Sequence, residues 1–167
     1  MASTLKVNEI QHTGGTTALT IDSTGRILQP AKPVFRATGN NAVQSLSNAT
    51  NAVVLFDVAE TNVGGGYDTS NGRFTAPVTG FYHFSASILI SHAGATRMDL
   101  NFFKNGSVFV SHEFRDGGSV STNASVHASC DAQLSAGDYI QVITAIHGSA
   151  GSIYSESKFW NFSGFLV

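Results

Sequence analysis

Hydrophobic and polar residues alternate with a period of two over much of this chain. Across residues 81–90, Tyr82, Phe84, Ala86, Ile88 and Ile90 fall on one side and His83, Ser85 and Ser87 on the other. Residues 119–134 do the same over a longer run. Val120, Ala124, Val126, Ala128, Cys130, Ala132 and Leu134 alternate there with Ser121, Asn123, Ser125, His127, Ser129 and Asp131. Such alternation marks a strand with one buried face. Further strands are predicted over residues 34–37, the apolar run 52–58, residues 98–104, 108–114, 139–146 and 158–167. Asn105-Gly106 predicts a tight hairpin, because both residues readily take the positive φ that such turns need. Ala136-Gly137-Asp138 reads as a turn, and Gly64-Gly65-Gly66 as a mobile or tightly turned loop. No segment keeps helical spacing over three turns. Short strands separated by regular turn signals imply an all-β sandwich.

The first thirty residues differ. The pattern over residues 4–10 puts Leu5 and Val7 on one face and Lys6 and Asn8 on the other, and a second strand is predicted over 18–22. Gly14-Gly15 and Thr24-Gly25 punctuate them. Leu5, Val7, Ile10, Leu19, Ile21, Ile27 and Leu28 are too few to build a core of their own. A β piece of this size is marginal in isolation. It is expected to pack on another chain, on equivalent pieces of its own oligomer, or on a support. Pro30 and Pro33 mark a junction, which divides the chain into an arm, 1–32, and a head, 33–167.

Composition narrows the function. Charged residues make up 12% of the 167, about half the usual share. Hydroxyls and amides supply the polarity instead, which suits a particle with much surface buried in an oligomer. The hydrophobic fraction of 42% supports a core rather than disorder. A net charge of −2 with no basic cluster argues against a nucleic-acid partner. Cys130 is the one cysteine, so no intrachain disulfide forms, and its place in an alternating strand predicts a buried, inert thiol. The N-terminal residues lack the apolar core of a signal peptide. No run approaches the roughly 18 apolar residues of a membrane span. Both observations predict synthesis in a cytoplasm and no membrane partner.

Several motifs, in order, resemble the C1q-like domain. They are Asn62, Tyr67-Asp68, Asn71-Gly72-Arg73-Phe74, Pro77-Val78 and the run from Gly80 through Phe81, Tyr82, His83 and Phe84. Leu100 with Lys104-Asn105-Gly106 follows, then Leu134 with Gly137-Asp138-Tyr139-Ile140-Gln141-Val142, and finally Phe159-Trp160-Asn161-Phe162-Ser163-Gly164-Phe165. The resemblance spans nearly all of residues 33–167. It implies a ten-stranded C1q/TNF-like jelly-roll sandwich, a tight homotrimer with an apolar three-fold axis, and a binding and assembly module rather than an enzyme. Its fold signature falls on Tyr67, Asp68, Gly72, Phe74, Pro77, Gly80, Tyr82, Phe84, Asn105, Gly106, Gly137, Asp138, Phe162 and Gly164. The aromatic count points the same way. Phe56, Phe74, Phe81, Tyr82, Phe84, Phe102, Phe103, Phe159, Trp160, Phe162 and Phe165 offer more apolar surface than one small sandwich readily hides, and a closed trimer would cover the excess.

The stretch from Ser3 to Asp22 is similar to the N-terminal leader on structural proteins of tailed phages. That resemblance implies a virion structural protein, made in the cytoplasm of a bacterial host and displayed on the particle exterior. Leu5, Val7, Ile10, Leu19 and Ile21 then become the anchoring residues of the arm. A capsid decoration or cement protein bound to the major capsid protein is expected first, since a trimer matches capsid three-fold sites and about thirty residues supply no shaft. A tail fibre or spike tip that binds a host-surface glycan is the alternative, with the loop 64–71 as its contact. A secreted C1q-like lectin, glycosylated at Asn48, is the alternative of another class. The collagen stalk of the animal relatives is missing from this sequence.

The remaining chemistry is sparse. His83, His92, His112, His127 and His147 are scattered without the close spacing of a zinc site, and they read as solvent-facing or as polar residues of a trimer. Asp57, Asp68, Asp99, Asp116, Asp131 and Asp138 form no dense loop of alternating acids. Calcium, which some C1q-like trimers bind, is therefore possible but not favoured, and no other cofactor is expected. Asp68 and Asp138 read as turn caps. No Gly-x-Ser-x-Gly elbow and no phosphate loop occurs, so no catalytic residue is assigned.

Overall fold

The computed structural model describes residues 5–115 and 121–167. Asp116 and Val120 lie outside them, as do Ser3 and Thr4. The chain forms three antiparallel sheets. The arm is a small meander of β1 (Glu9–Gln11), β2 (Thr17–Ile21) and β3 (Ile27–Leu28), in that order. The arm strand expected over residues 4–10 is displaced. Leu5 and Val7 precede β1 rather than lying in it, and Leu5 is 82% exposed.

The head is a sandwich of two sheets. The first contains β4 (Val34–Thr38), β5 (Gln44–Leu46), β7 (Val58–Val63), β10 (Gly80–Ala93), β13 (Ser121–Leu134), β15 (Gly151–Ile153) and β16 (Asn161–Leu166). Its centre is β10, which pairs along its whole length with β13 on one side. On the other side β10 pairs with β16 and then β15. The sheet continues from β16 through β4 to β7, and from β15 to β5. The second sheet contains β6 (Ala52–Val53), β8 (Tyr67–Asp68), β9 (Arg73–Thr75), β11 (Arg97–Lys104), β12 (Ser107–Arg115) and β14 (Tyr139–His147), in the order β12-β11-β14-β9-β8, with β6 added to β14. Among the described residues the head's strands come as thirteen segments, β4 to β16, rather than ten. Several are only two or three residues long.

The alternation read from residues 81–90 holds. Tyr82, Phe84, Ala86, Ile88 and Ile90 are all buried at 1% exposure or less. In β13, Ala124, Val126, Ala128, Ala132 and Leu134 are buried and Cys130 is half-buried. The apolar run 52–58 is not one strand. β6 ends at Val53, the Val54 amide still donates to the Val142 carbonyl at 2.9 Å, and the chain then leaves the second sheet before β7 starts at Val58. Crossing between sheets places Phe56 wholly inside the sandwich.

The core is aromatic. Phe35 stacks on Tyr67 at 4.9 Å and on Phe74 at 4.8 Å, and meets Phe162 edge-on at 4.8 Å. Offset and edge-on geometries of this kind add to the burial of each ring. Phe56, Phe74, Tyr82, Phe84, Phe102, Trp160 and Phe162 are all buried within a single chain. The excess apolar surface therefore lies only partly where the sequence suggests. It is carried by Phe81, Val108, Phe109, Phe114 and Phe165, each more than 40% exposed. Phe159 is also exposed, because a single 3-10 turn (Ser157–Phe159) precedes β16 and only Trp160, Phe162 and Gly164 turn inward.

Candidate functional site

The signature residues separate into two groups. Tyr67, Phe74, Tyr82, Phe84 and Phe162 belong to the aromatic core. Gly164 belongs with them, since a Cβ there would stand 2.6 Å from Phe84 Cδ1 and 2.8 Å from Phe35 Cε1. Gly80 opens β10, and Pro77 lies in the turn before it. Gly72 has φ 67°, and a Cβ would meet the Val54 carbonyl at 2.8 Å.

The second group locks turns. Asn105 and Gly106 form the β11–β12 hairpin, and Gly137 and Asp138 the turn between β13 and β14. Asn105 ties the two together: its Nδ2 donates to Asp138 Oδ1 at 2.8 Å, and its Oδ1 accepts the Tyr139 amide at 2.9 Å. Asp138 also accepts the Ser135 amide at 3.0 Å and sits 3.3 Å from Lys104 Nζ. These donors hold its carboxyl below the usual range, with Asn105 as the largest cause. Asp68 plays the same part in the next turn, accepting from the Ser70 hydroxyl at 2.7 Å, the Ser70 amide at 2.9 Å and Asn71 Nδ2 at 2.6 Å. Its carboxyl is likewise held low, first by Ser70.

The loop 64–71 is tightly turned rather than open. Asn62 Nδ2 donates to the Tyr67 carbonyl at 2.8 Å, and Asn62 Oδ1 accepts the Tyr67 amide at 3.0 Å. Asn62 thus holds the loop from outside it, through both backbone groups of Tyr67 and through the Gly65 amide, which its carbonyl accepts.

The histidines divide by environment. His92 is buried at 4% exposure, and its Nδ1 accepts the Ala95 amide at 3.1 Å, so the expectation that it faces solvent or a trimer is corrected. His147 Nε2 lies 3.1 Å from Asp99 Oδ2 and 2.6 Å from Arg97 Nη2. His83 Nδ1 lies 2.8 Å from Asp131 Oδ1, and its ring sits 5.3 Å from Phe165. Asp57 is exposed. Among the described residues no group of three or more His, Cys, Asp or Glu gathers so as to hold a metal. Among them, too, no helix is long and apolar enough to cross a membrane.

Three surfaces remain. The first is the outward face of the sheet centred on β10. Its register lines up His83 with Asp131 and Phe165, Ser85 with Ser129 and Ser163, and Ser87 with His127 and Asn161. Opposed residues share a face, so a wide surface results, with four serines at its middle and His83, Phe165, His127 and Asn161 around them. The second is the open edge of the sandwich between β12 and β13. It exposes Val108, Phe109 and Phe114, and holds a cleft of about 230 Å³ lined by His112, Glu113, Phe114, Ser125, Val126 and His127. The third is the arm. A groove of about 440 Å³ separates it from the head, between Ala18, Gln29, Ala31 and Lys32 on one side and Val78, Leu166 and Val167 on the other. Leu19 and Ile21 are half-buried, and Ile10 is 47% exposed.

Two antiparallel sheets closed over an aromatic core, with long central strands and turn-locking Asn and Asp residues, define a jelly-roll domain of C1q/TNF type. The chain belongs to the C1q domain family, whose model matches residues 34–167. It is 41% identical over 115 residues to Caprin-2 of Danio rerio, which covers 68% of this chain and 12% of that protein. It is 31% identical over 121 residues to Complement C1q tumor necrosis factor-related protein 3 of Mus musculus, covering 70% of this chain and 45% of that protein. The chain thus spans less than half the length of these curated relatives. Among solved structures, the globular domain of zebrafish complement 1qA matches with a TM-score of 0.57 at 20% identity, over 81% of this chain and 97% of that one. Murine APRIL at pH 5.0 matches with 0.64 at 12% identity, over 81% and 99%. These likenesses concern the fold.

Proposed function

We propose that this chain is a non-enzymatic, homotrimeric head-and-arm module. The C1q head forms the trimer, and the N-terminal arm fastens it to a larger particle with the head facing outward. The observation that carries this is the arm itself. It lies outside the family match of 34–167, forms a sheet of its own, and leaves Leu5 in solvent together with Leu28, which lies away from the face of Ile10 and Ile27. Exposed apolar surface on a small element favours a partner. On the head, the apolar edge at β12 and the broad outward face beside β10 support a closed three-fold assembly, in which the edge of one copy lies on the face of the next.

The particle we assign is a tailed-phage virion, on the resemblance of the arm sequence to phage leaders. The capsid surface, with the major capsid protein as partner, is the attachment that a three-fold module fits. Among the described residues no strand pairs with the outer edges of β1 and β3, which suits them to sheet addition, and three arms give avidity. A secreted C1q-like lectin is a second reading, favoured by the vertebrate relatives. It predicts glycan on Asn48 and a signal peptide in a longer gene product.

Counting copies per purified particle, by mass spectrometry against the major capsid protein, tests the proposal. Hundreds of copies are expected for a capsid decoration. A handful would move the trimer to a tail fibre or spike and turn attention to a host-surface glycan. Absence from particles would overturn the virion reading and leave the lectin.

A further inference from the structure

The register of the arm sheet sorts its side chains. Ile10 lies opposite Leu19, and Ile21 lies opposite Ile27. Directly opposed residues of an antiparallel pair point to the same face, as do residues two apart on one strand. Leu19 and Ile21 are two apart on β2, so Ile10, Leu19, Ile21 and Ile27 share one face. Thr20, opposite both Glu9 and Leu28, lies on the other. The aliphatic face is left open, with Ile27 65% and Ile10 47% exposed.

Charge is absent from this face, and the acid next to it in sequence, Asp22, is paired with Arg26. Asp22 Oδ2 accepts Arg26 Nε at 2.7 Å within the β2–β3 turn, and Asp22 Oδ1 accepts the Thr24 and Arg26 amides at 2.9 and 3.0 Å. Glu9, which accepts Gln11 Nε2 at 2.7 Å, lies on the opposite face with Thr20. A partner recognised through this face is therefore apolar and uncharged, and the face meets that description itself. Two identical copies of it bring no like charges together.

We infer that this face packs against the same face on the arms of the other two copies, so that three arm sheets enclose one apolar core about the three-fold axis. The inference rests on the trimer reading of the head. A three-stranded sheet with strands of three, five and two residues is marginal until its apolar face is covered. The tether that joins it to the head is short, running from Gln29 to Pro33 with a turn closed by the Lys32 amide on the Gln29 carbonyl at 3.1 Å. Once the heads are trimeric, such a tether holds the three arms at an effective concentration on the order of millimolar. Packing by this face leaves the β1 and β3 edges free, so self-association and anchoring use different parts of the arm.

Face-specific crosslinking of the full chain tests this. Cys130, the one native cysteine, is half-buried in the head, and burial pushes its thiol up to about 12. An introduced thiol thus reports on its own position. Ile10→Cys and Ile27→Cys place it on the aliphatic face; Thr20→Cys and Leu28→Cys place it on the opposite face. Each variant is oxidised with diamide at several protein concentrations and run on a non-reducing gel, with its mass in solution measured by light scattering in parallel. Trimers in which the two aliphatic-face variants form disulfide-linked pairs at a concentration-independent rate, at least tenfold faster than the other two, are expected. Trimers in which all four crosslink alike, or none does, would overturn the arm inference and leave the trimer standing. A monomeric mass for all four would overturn the trimer reading and this inference with it.

Discussion

Tyr67 donates its hydroxyl proton to the Phe56 carbonyl at 2.8 Å from inside the sandwich, while its ring stacks on Phe35 with an interplanar angle of 3°. This contact joins β8 to the segment where the chain crosses between sheets. The Phe56 carbonyl has left the β6 ladder, and the tyrosine hydroxyl takes the place of a strand neighbour. Burial is the main cause that raises the Tyr67 pKa, so the hydroxyl stays protonated and a donor at any ordinary pH. Tyr67→Phe preserves the ring and strands the buried carbonyl. A loss of about 1–3 kcal/mol is expected, read as a lower urea midpoint with an unchanged slope. An unchanged midpoint would mean that water replaces the hydroxyl.

Gly164 is set by packing rather than by backbone angle. Its neighbours Phe84 and Phe35 occupy the space of a Cβ, and both are buried in the rigid aromatic cluster. Gly164→Ala is expected to destabilise the head by about 1–3 kcal/mol through overpacking. Thermal unfolding that matches the parent would show that the cluster yields.

Acid should weaken the molecule through its turns. Asp22, Asp68 and Asp138 all have carboxyls held below their ordinary range, chiefly by the backbone amide of Arg26, the Ser70 hydroxyl and the Asn105 amide. A carboxyl with a lower folded than unfolded pKa stabilises the fold above the unfolded value, about 3.9, and that contribution is lost as pH falls through the folded value. The urea midpoint is therefore expected to hold from pH 7 to about 4 and to fall below it. Asp138→Asn should make that fall shallower. An equal fall in the variant would remove Asp138 from the account.

The thiol of Cys130 is expected to be sluggish. Burial, and next the charge of Asp131, raise it to about 12, so almost none is thiolate at pH 8, and thiolate is the reactive form. Alkylation by iodoacetamide at pH 8 should run at least tenfold slower in native protein than in urea. Equal rates would place the side chain in solvent.

Much of the head is legible in the sequence because its long strands bury one face. Period two over β10 and β13 follows from Tyr82, Phe84 and Val126 facing the core while Ser85 and Ser129 face out. Asn105-Gly106 announces its hairpin by backbone preference alone. The run 52–58 misleads because it is apolar for two different reasons: Val53 belongs to a strand, and Phe56 to a crossing that carries it into the core. The arm misleads in the same way, since Leu5 and Val7 alternate but find no partner strand among the described residues, whereas β1 starts where the Asn8 carbonyl accepts the Ile21 amide at 2.8 Å. The burial of His92 has a local signal, since it continues by two residues the inward face of Tyr82, Phe84, Ala86, Ile88 and Ile90, and β10 runs on to Ala93. The exposed aliphatic face of the arm becomes visible only once the register pairs Ile10 with Leu19 and Ile21 with Ile27.

The most direct test of the whole account is the mass of the full-length chain in solution, measured by native mass spectrometry at micromolar concentration and neutral pH. The account predicts a single species of three chain masses that persists in EDTA. A species of one chain mass under the same conditions would contradict it.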